Sequence, residues 1–241
     1  MDVYGKTDIG MVRTTNQDSY AFGKFDDGTA WAVVCDGMGG ANGGNIASSI
    51  AVKTISDSIL KSYTEEIGEV SLRLLLESAV QTANTKIFDE ARSNDQLQGM
   101  GTTVVALIAK DNSIFIMHVG DSRAYIVSSD SIEQITRDHS VVQSMIENGE
   151  LTPEKAKYHP NKNVITRALG VGSNVAPEYN VVDSMESAKL IICTDGLTNC
   201  VDNETILQIV NSTDNEQIPE RLIDTANKNG GKDNITVVVI A

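Results

Sequence analysis

The sequence predicts an α+β fold in which antiparallel sheets are covered on the outside by paired helices. Three observations predict it. Short apolar runs come in blocks and are separated by turn residues at short spacing, as antiparallel strands are. Segments with apolar residues at helical spacing come in pairs between those blocks. The regular alternation of one strand with one helix that a doubly wound parallel sheet requires is missing.

Residues 1–40 read as strands: Val3-Tyr4, Asp18 to Gly23, and Trp31 to Asp36. Asp26-Asp27-Gly28 supplies a hairpin-type turn between the last two. From Gly44 to about Tyr63 the period changes, with Ile46, Ile50, Ile55 and Ile59 near helical spacing and Ala47, Ala51 and Leu60 flanking that face. A second helix is expected from about Ser71 to Ser93, with Leu72, Leu75, Leu76, Ala79, Val80, Ala83, Ile87 and Phe88 as its apolar set. Strands return at Thr102 to Ala109, Ser113 to Val119, Arg123 to Val127 and Ile132 to Thr136, the first pair joined at Asp111-Asn112. A short helix follows from Ser140 to Glu147. Residues 149–163 are the most irregular part, although Thr152 as cap and Pro153 at the first position can start one helical turn. Strands are expected again at Val164-Ile165, Tyr179 to Val182 and Lys189 to Thr194. Two helices, near Asn203 to Val210 and Pro219 to Lys228, precede a closing strand from Asn234 to Ile240. With no repeat, low-complexity segment or linker, residues 1–241 read as one domain.

The chain is organised around Trp31-Ala32-Val33-Val34-Cys35-Asp36-Gly37-Met38-Gly39-Gly40, an apolar run that stops at a carboxylate and is followed by glycines. Taken alone, an Asp-Gly after a strand is a turn. The layout recurs, however. Asp121 follows Ile116 to Gly120, Asp195 follows Leu190 to Thr194, Asp233 precedes the last strand, and Asp18 precedes Tyr20-Ala21-Phe22. Five aspartates at strand edges make one pocket of oxygen ligands if those edges converge.

With 33 acidic against 19 basic side chains the net charge is −14, which argues against nucleic acid or an anionic membrane as partner. Cys35, Cys193 and Cys200 are odd in number, and two of them sit in apolar strand ends. They read as buried thiols of a reducing compartment, not as a disulfide framework. The first residues lack the apolar core of a signal peptide, and no run reaches the roughly 18 apolar residues of a spanning helix. A cytoplasmic protein is expected.

Several chemistries are absent. There is no phosphate-binding Gly-x-x-x-x-Gly-Lys loop, and no cysteine is followed six residues later by an arginine. His118, His139 and His159 with the three cysteines give no zinc spacing; His118 reads as a core residue, and His139 as one that could orient its neighbours. Aspartates and a glycine carbonyl suit hard cations, magnesium or manganese. Two such ions about 3.5–4 Å apart can share a water and clamp a phosphoryl group for in-line attack. Asp36 is the best bridging candidate, because the next carbonyl, Gly37, can turn toward the second ion. Arg13, five residues before Asp18, is available for phosphate oxygens.

At these residues the chain resembles the metal-dependent protein phosphatases of type 2C, the serine/threonine kind, in their bacterial form. The resemblance runs from end to end. It rests on Arg13-Thr14-Thr15-Asn16-Gln17-Asp18, Asp36-Gly37-Met38-Gly39-Gly40, Gly99-Met100-Gly101-Thr102-Thr103 and Val119-Gly120-Asp121-Ser122-Arg123-Ala124. It continues through Thr136-Arg137-Asp138-His139-Ser140, Asn163 to Gly170, Thr194-Asp195-Gly196-Leu197 and Lys232-Asp233-Asn234-Ile235-Thr236. It implies a four-layer α-β-β-α sandwich, two central antiparallel sheets flanked by helix pairs. It implies hydrolysis of phosphoserine and phosphothreonine in proteins by a metal-activated water at a binuclear Mn2+ or Mg2+ centre. Asp36 would bridge two metals, with Asp195 and Asp233 on the first and the Gly37 carbonyl on the second. Asp121, with Asp195, would take a third, weaker ion that some bacterial members bind. Asp18 would hold metal-bound water, Arg13 would take the phosphate, and residues 144–165 would be the family's flap. Phosphoprotein substrates, and a partner kinase, are implied by the resemblance alone; a monomer is expected.

The chain departs from the family pattern at three positions. Met38 stands where many eukaryotic members carry a histidine, which removes a general acid there and leaves leaving-group protonation to a water. Ala41 stands where bacterial members often carry a histidine, and Gln17 where many carry a glutamate. Two other readings compete: a metal-binding regulatory domain of the same fold with weak or no turnover, and an aspartyl-nucleophile phosphatase. The second needs an aspartate two residues after the first, where Met38 and Leu197 stand.

Overall fold

The computed structural model describes residues 1–183 and 188–241, without the side chains of Ala41 and Asn42; the departure at Ala41 therefore lies outside the described side chains. Strands β1 (Val3–Asp8), β2 (Asp18–Lys24) and β3 (Ala30–Met38) lead into the helix pair α1 (Gly40–Ser62) and α2 (Glu69–Ser93). Five strands follow: β4 (Gly101–Thr102), β5 (Val104–Lys110), β6 (Ser113–Val119), β7 (Arg123–Val127) and β8 (Ile132–Gln134). Short helices α3 (Val141–Glu147) and α4 (Pro153–Ala156) precede β9 (Glu178–Asp183) and β10 (Lys189–Cys193). The chain closes with α5 (Asp195–Thr198), α6 (Asn203–Ser212), α7 (Ile218–Lys228) and β11 (Ile235–Ile240).

One sheet has the order β1-β11-β10-β7-β8, the other β2-β3-β5-β6-β9 with β4 added onto the end of β3. The described ladders are antiparallel. Strand periodicity assigns the two faces of each sheet. On β3, Trp31, Val33 and Cys35 pack under Ile55 and Ile59 of α1 and Leu72 and Leu76 of α2. The alternate residues Ala32 and Val34 face Ile192 and Val238 of the other sheet. The outer face of that second sheet, with Ile191, Val237 and Val239, is covered by Ile206 of α6 and Leu222 and Ile223 of α7. The layers are therefore helix pair, sheet, sheet, helix pair, as expected, with the two sheets packed face to face in the middle seam.

Four details differ from the sequence expectation. The strand does not stop at Asp36; it runs on through Gly37 and Met38, which pair with Thr102 and Gly101. Helix α1 begins at Gly40 rather than Gly44, because Gly39 and Gly40, with φ of 125° and 74°, complete the turn at once. Gly44 instead serves close approach: a Cβ there would lie 2.7 Å from the Gly37 carbonyl carbon. Leu60, expected to flank the apolar face of α1, is 56% exposed. Val164-Ile165 forms no strand; only Ile165 makes an isolated bridge, to Ser140.

Candidate active site

The site follows from the parity of the strands. Residues of β2, β3, β10 and β11 that face the seam are apolar in the middle of the sandwich, as in Tyr20, Val34, Ile192 and Val238. Two residues further along the same face stand Asp18, Asp36, Thr194 and Thr236. The seam thus turns polar at one end, and there the carboxylates gather. Asp18 and Asp36 are direct partners in the β2–β3 ladder. Asp36, Asp121, Asp195 and Asp233 line one cavity of about 470 Å³ together with Arg13, Gly37, Met38, Thr103, Asn163 and Ile165. Asp18 lies beneath it, 8% exposed.

Each carboxylate is held from its own element. The Asp36 N–H donates to Thr103 Oγ1 at 2.9 Å, and its carbonyl accepts from the Thr103 N–H at 2.9 Å and from Thr102 Oγ1 at 2.8 Å. Thr194 and Thr236 hydroxyls both donate to Asp18 Oδ2, at 2.9 and 2.7 Å, which fixes the carboxylate in one orientation. Asp195 opens α5, and Asn199 one turn later donates its Nδ2 to Asp195 Oδ2 at 2.9 Å. Asp233 Oδ2 accepts from Arg13 Nη2 at 2.7 Å. Asp121 follows Gly120, whose φ of 103° lets the chain turn directly against Thr103.

Burial and mutual repulsion dominate the electrostatics. Burial first, then the charges of Asp18, Asp195, Asp121 and Asp233, push the Asp36 carboxyl well above the usual carboxylate range. Burial raises Asp18 to about 7 against the opposing hydrogen bonds of Thr236 and Thr194. Burial and then Asp195 raise Asp121 to about 7. Asp195 is raised by burial and by Asp233. The Oδ1 atoms of Asp18 and Asp195 are buried with no hydrogen-bond partner. Orphaned carboxylate oxygens, in a cluster that costs energy when ionised, fit divalent cations bound through oxygen.

Sequence reading missed several supports. Thr194 and Thr236 were legible only through strand parity, and Asn199 only through its i+4 spacing from Asp195. It also found no metal spacing for histidine, yet the fold brings ligand atoms of His118, His139 and Glu178 within 4.8 Å of one another. That cluster is not built for a metal. The two rings stack with an interplanar angle of 14°, so their in-plane lone pairs do not converge, and Arg167 Nη1 lies 3.1 Å from His139 Nε2. His118 is buried, but only its Nε2 is satisfied, by the Arg137 carbonyl, and Nδ1 has no partner. His139 does orient its neighbours: its Nδ1 accepts from the Gly120 N–H at 3.1 Å, and its backbone N–H donates to the Gly120 carbonyl at 2.9 Å, bracing the turn before Asp121.

A four-layer α-β-β-α sandwich with a carboxylate-lined cavity at one end of its seam is the arrangement of the metal-dependent phosphatases. Within that class the chain belongs to the protein phosphatase 2C family, whose profile matches residues 12–236. It is 37% identical to the serine/threonine phosphatase stp of Listeria innocua over 98% of this chain and 93% of that one. It superposes on the serine/threonine phosphatase Stp1 from Staphylococcus aureus with a TM-score of 0.93 at 31% identity, covering 100% of this chain and 94% of that one. It superposes on the catalytic domain of the serine threonine protein phosphatase PstP in complex with two manganese ions with a TM-score of 0.86, also at 31% identity, covering 99% and 96% of the two chains.

Proposed function

We propose that this chain is a metal-dependent protein serine/threonine phosphatase, hydrolysing phosphoserine and phosphothreonine in proteins at the cavity lined by Asp36, Asp195 and Asp233. The observation that carries the reading is the convergence of those carboxylates with Asp121 and Gly37 on one cavity, with the Arg13 guanidinium beside it. When bound, a pair of Mn2+ or Mg2+ ions supplies Lewis acidity, lowering the pKa of water and neutralising phosphoryl charge.

The residues divide the work by position. Asp36, central in the cluster, would serve both ions, Asp195 and Asp233 would hold the first and the Gly37 carbonyl the second. Asp121, with Asp195, would hold a weaker third ion. Asp18 lies outside the direct ligand set. With Oδ2 tied to two threonines, its Oδ1 is free to accept from a water in the cavity and orient it. Arg13, about half exposed beside the cavity, offers its fork to the phosphate oxygens. No side chain in the cavity lining is a histidine, so no imidazole is placed there to protonate the leaving alcohol, and that proton would fall to a water held with the metals.

Phosphoproteins are the substrates and a serine/threonine kinase the opposing partner. The acidic charge argues against nucleic acid. No helix among the described residues is long and apolar enough to cross a membrane. A cytoplasmic monomer fits these features, with residues 1–241 as one domain and 144–165 as its flap, from which Asn163 and Ile165 reach the cavity. The complete carboxylate set speaks against a domain that keeps the fold without turnover.

The test is manganese-dependent hydrolysis of an aryl phosphate and of a phosphothreonine peptide. Asp36→Ala and Asp233→Ala should each abolish both activities; undiminished turnover in either variant overturns the reading. Arg13→Ala should raise KM, with a loss in kcat/KM of about 10- to 100-fold, the size of a charge-assisted hydrogen bond.

A further inference from the structure

Between β1 and β2 the chain makes an irregular arch, residues 9–17, that carries Arg13. An arch without regular structure has few hydrogen bonds of its own, so its position must be imposed from outside. Several residues hold it, Thr7, Asp8, Gly37, Gly40 and Ser48 with one bond each, but among the described side chains one makes three. Asn234 is 4% exposed, and its amide makes three hydrogen bonds, all to the backbone of this arch. Nδ2 donates to the Ile9 and Thr15 carbonyls at 3.0 Å each, and Oδ1 accepts from the Gln17 N–H at 2.8 Å. These anchor points lie on both sides of Arg13. The arch also packs directly on the neighbouring residue: a Cβ at Gly10 would lie 2.2 Å from the Asp233 carbonyl oxygen. One further bond, from the Met11 N–H to the Gly231 carbonyl at 2.7 Å, ties the arch to the same segment.

We propose that Asn234 is the positioning residue for Arg13. It uses both amide hydrogens and one acceptor position on a single loop, and so fixes the guanidinium at the cavity beside Asp233 before substrate arrives. The proposal rests on the reading of Arg13 as the partner of the phosphate. Without the clamp the arch must be ordered on binding, and that loss appears in KM more than in kcat.

The experiment is a double-mutant cycle on the full chain with saturating manganese and a phosphothreonine peptide. Asn234→Ala should raise KM roughly tenfold with a smaller change in kcat. In Arg13→Ala/Asn234→Ala, KM should stay within about twofold of Arg13→Ala alone, because the two residues act as one unit. Manganese affinity by calorimetry should stay within about twofold of the parent, since the Asp233 carboxylate is untouched. Hydrogen exchange should speed up at residues 9–17 and at the Gln17 amide in particular. If Asn234→Ala does not fold, Asn234→Asp serves in the same cycle: it keeps the acceptor for Gln17 and removes both donors. An unchanged KM in the Asn234 variant, effects that multiply in the double variant, or unchanged exchange in the arch overturns the proposal while leaving Arg13 its role. An unchanged KM in Arg13→Ala overturns the reading of Arg13, and the proposal with it.

Discussion

Asp18 and Asp36 stand directly opposite each other in the β2–β3 ladder, a carboxylate facing a carboxylate across two hydrogen-bonded strands. Like charges in that relation destabilise a sheet. Here Asp195 and Asp233 add their charges to the same cluster, and Arg13 makes its direct contact with Asp233.

Divalent cations should therefore stabilise the fold by linkage. At a concentration 100 times the dissociation constant the gain is about 2.7 kcal/mol, which in a chain of this size raises Tm by roughly 5–10 °C. Calorimetry in chelator and in manganese measures it, and superimposable melting curves would contradict a cation site.

The metal-free protein should lose stability as pH rises. Burial raises Asp18 and Asp121 to about 7 in the fold, from an ordinary carboxyl value of 3.8. Between those values the folded chain holds protons that the unfolded chain has released, so the slope of stability against pH is negative. The contribution is fully present below about pH 4 and is lost as pH passes 7. In chelator, Tm should be higher at pH 5 than at pH 8; the opposite order would show that these carboxyls are not raised.

Asp36→Asn should separate stability from activity. It removes the central negative charge and keeps the side-chain shape, so in chelator the variant should melt higher than the parent. It also removes the bridging carboxylate, so manganese-dependent turnover should vanish. A variant that melts lower in chelator and still turns over would contradict both roles.

Gly37→Ala should be destabilising by about 1–3 kcal/mol or more, because overpacking there has no flexible neighbour to displace. The new Cβ would lie 2.0 Å from the Gly44 carbonyl oxygen and 2.5 Å from that of Gln17, both backbone atoms. Urea denaturation gives the value. A neutral substitution would mean that α1 and β3 are not pressed together at this glycine pair.

Much of this was legible in the sequence, because local patterns carried it. The unbroken apolar run at Trp31 to Val34 reported a strand buried on both sides, and helical spacing at Ile55 and Ile59 reported a buried face. The interruption of apolar runs by aspartate marked Asp36, Asp121, Asp195 and Asp233, the four that line the cavity. What escaped depends on partners distant in the chain. Strand β3 continues past Asp36 only because Gly101 and Thr102 pair with it, some 65 residues on. Asn234 reads as a polar residue beside a strand until the arch 9–17 is seen folded onto it. His118 lies on β6 and His139 in the loop before α3, and no spacing rule would bring their rings together.

The cavity takes Arg13 and Asp36 from the start of the polypeptide and Asp233 from just before β11, the strand that inserts between β1 and β10. Segments far apart along the polypeptide must therefore meet before any cavity exists: β11 has to slot between β1 and β10 to bring Asp233 alongside Asp36. Catalytic competence is thus a property of the closed sandwich and of no shorter stretch of it.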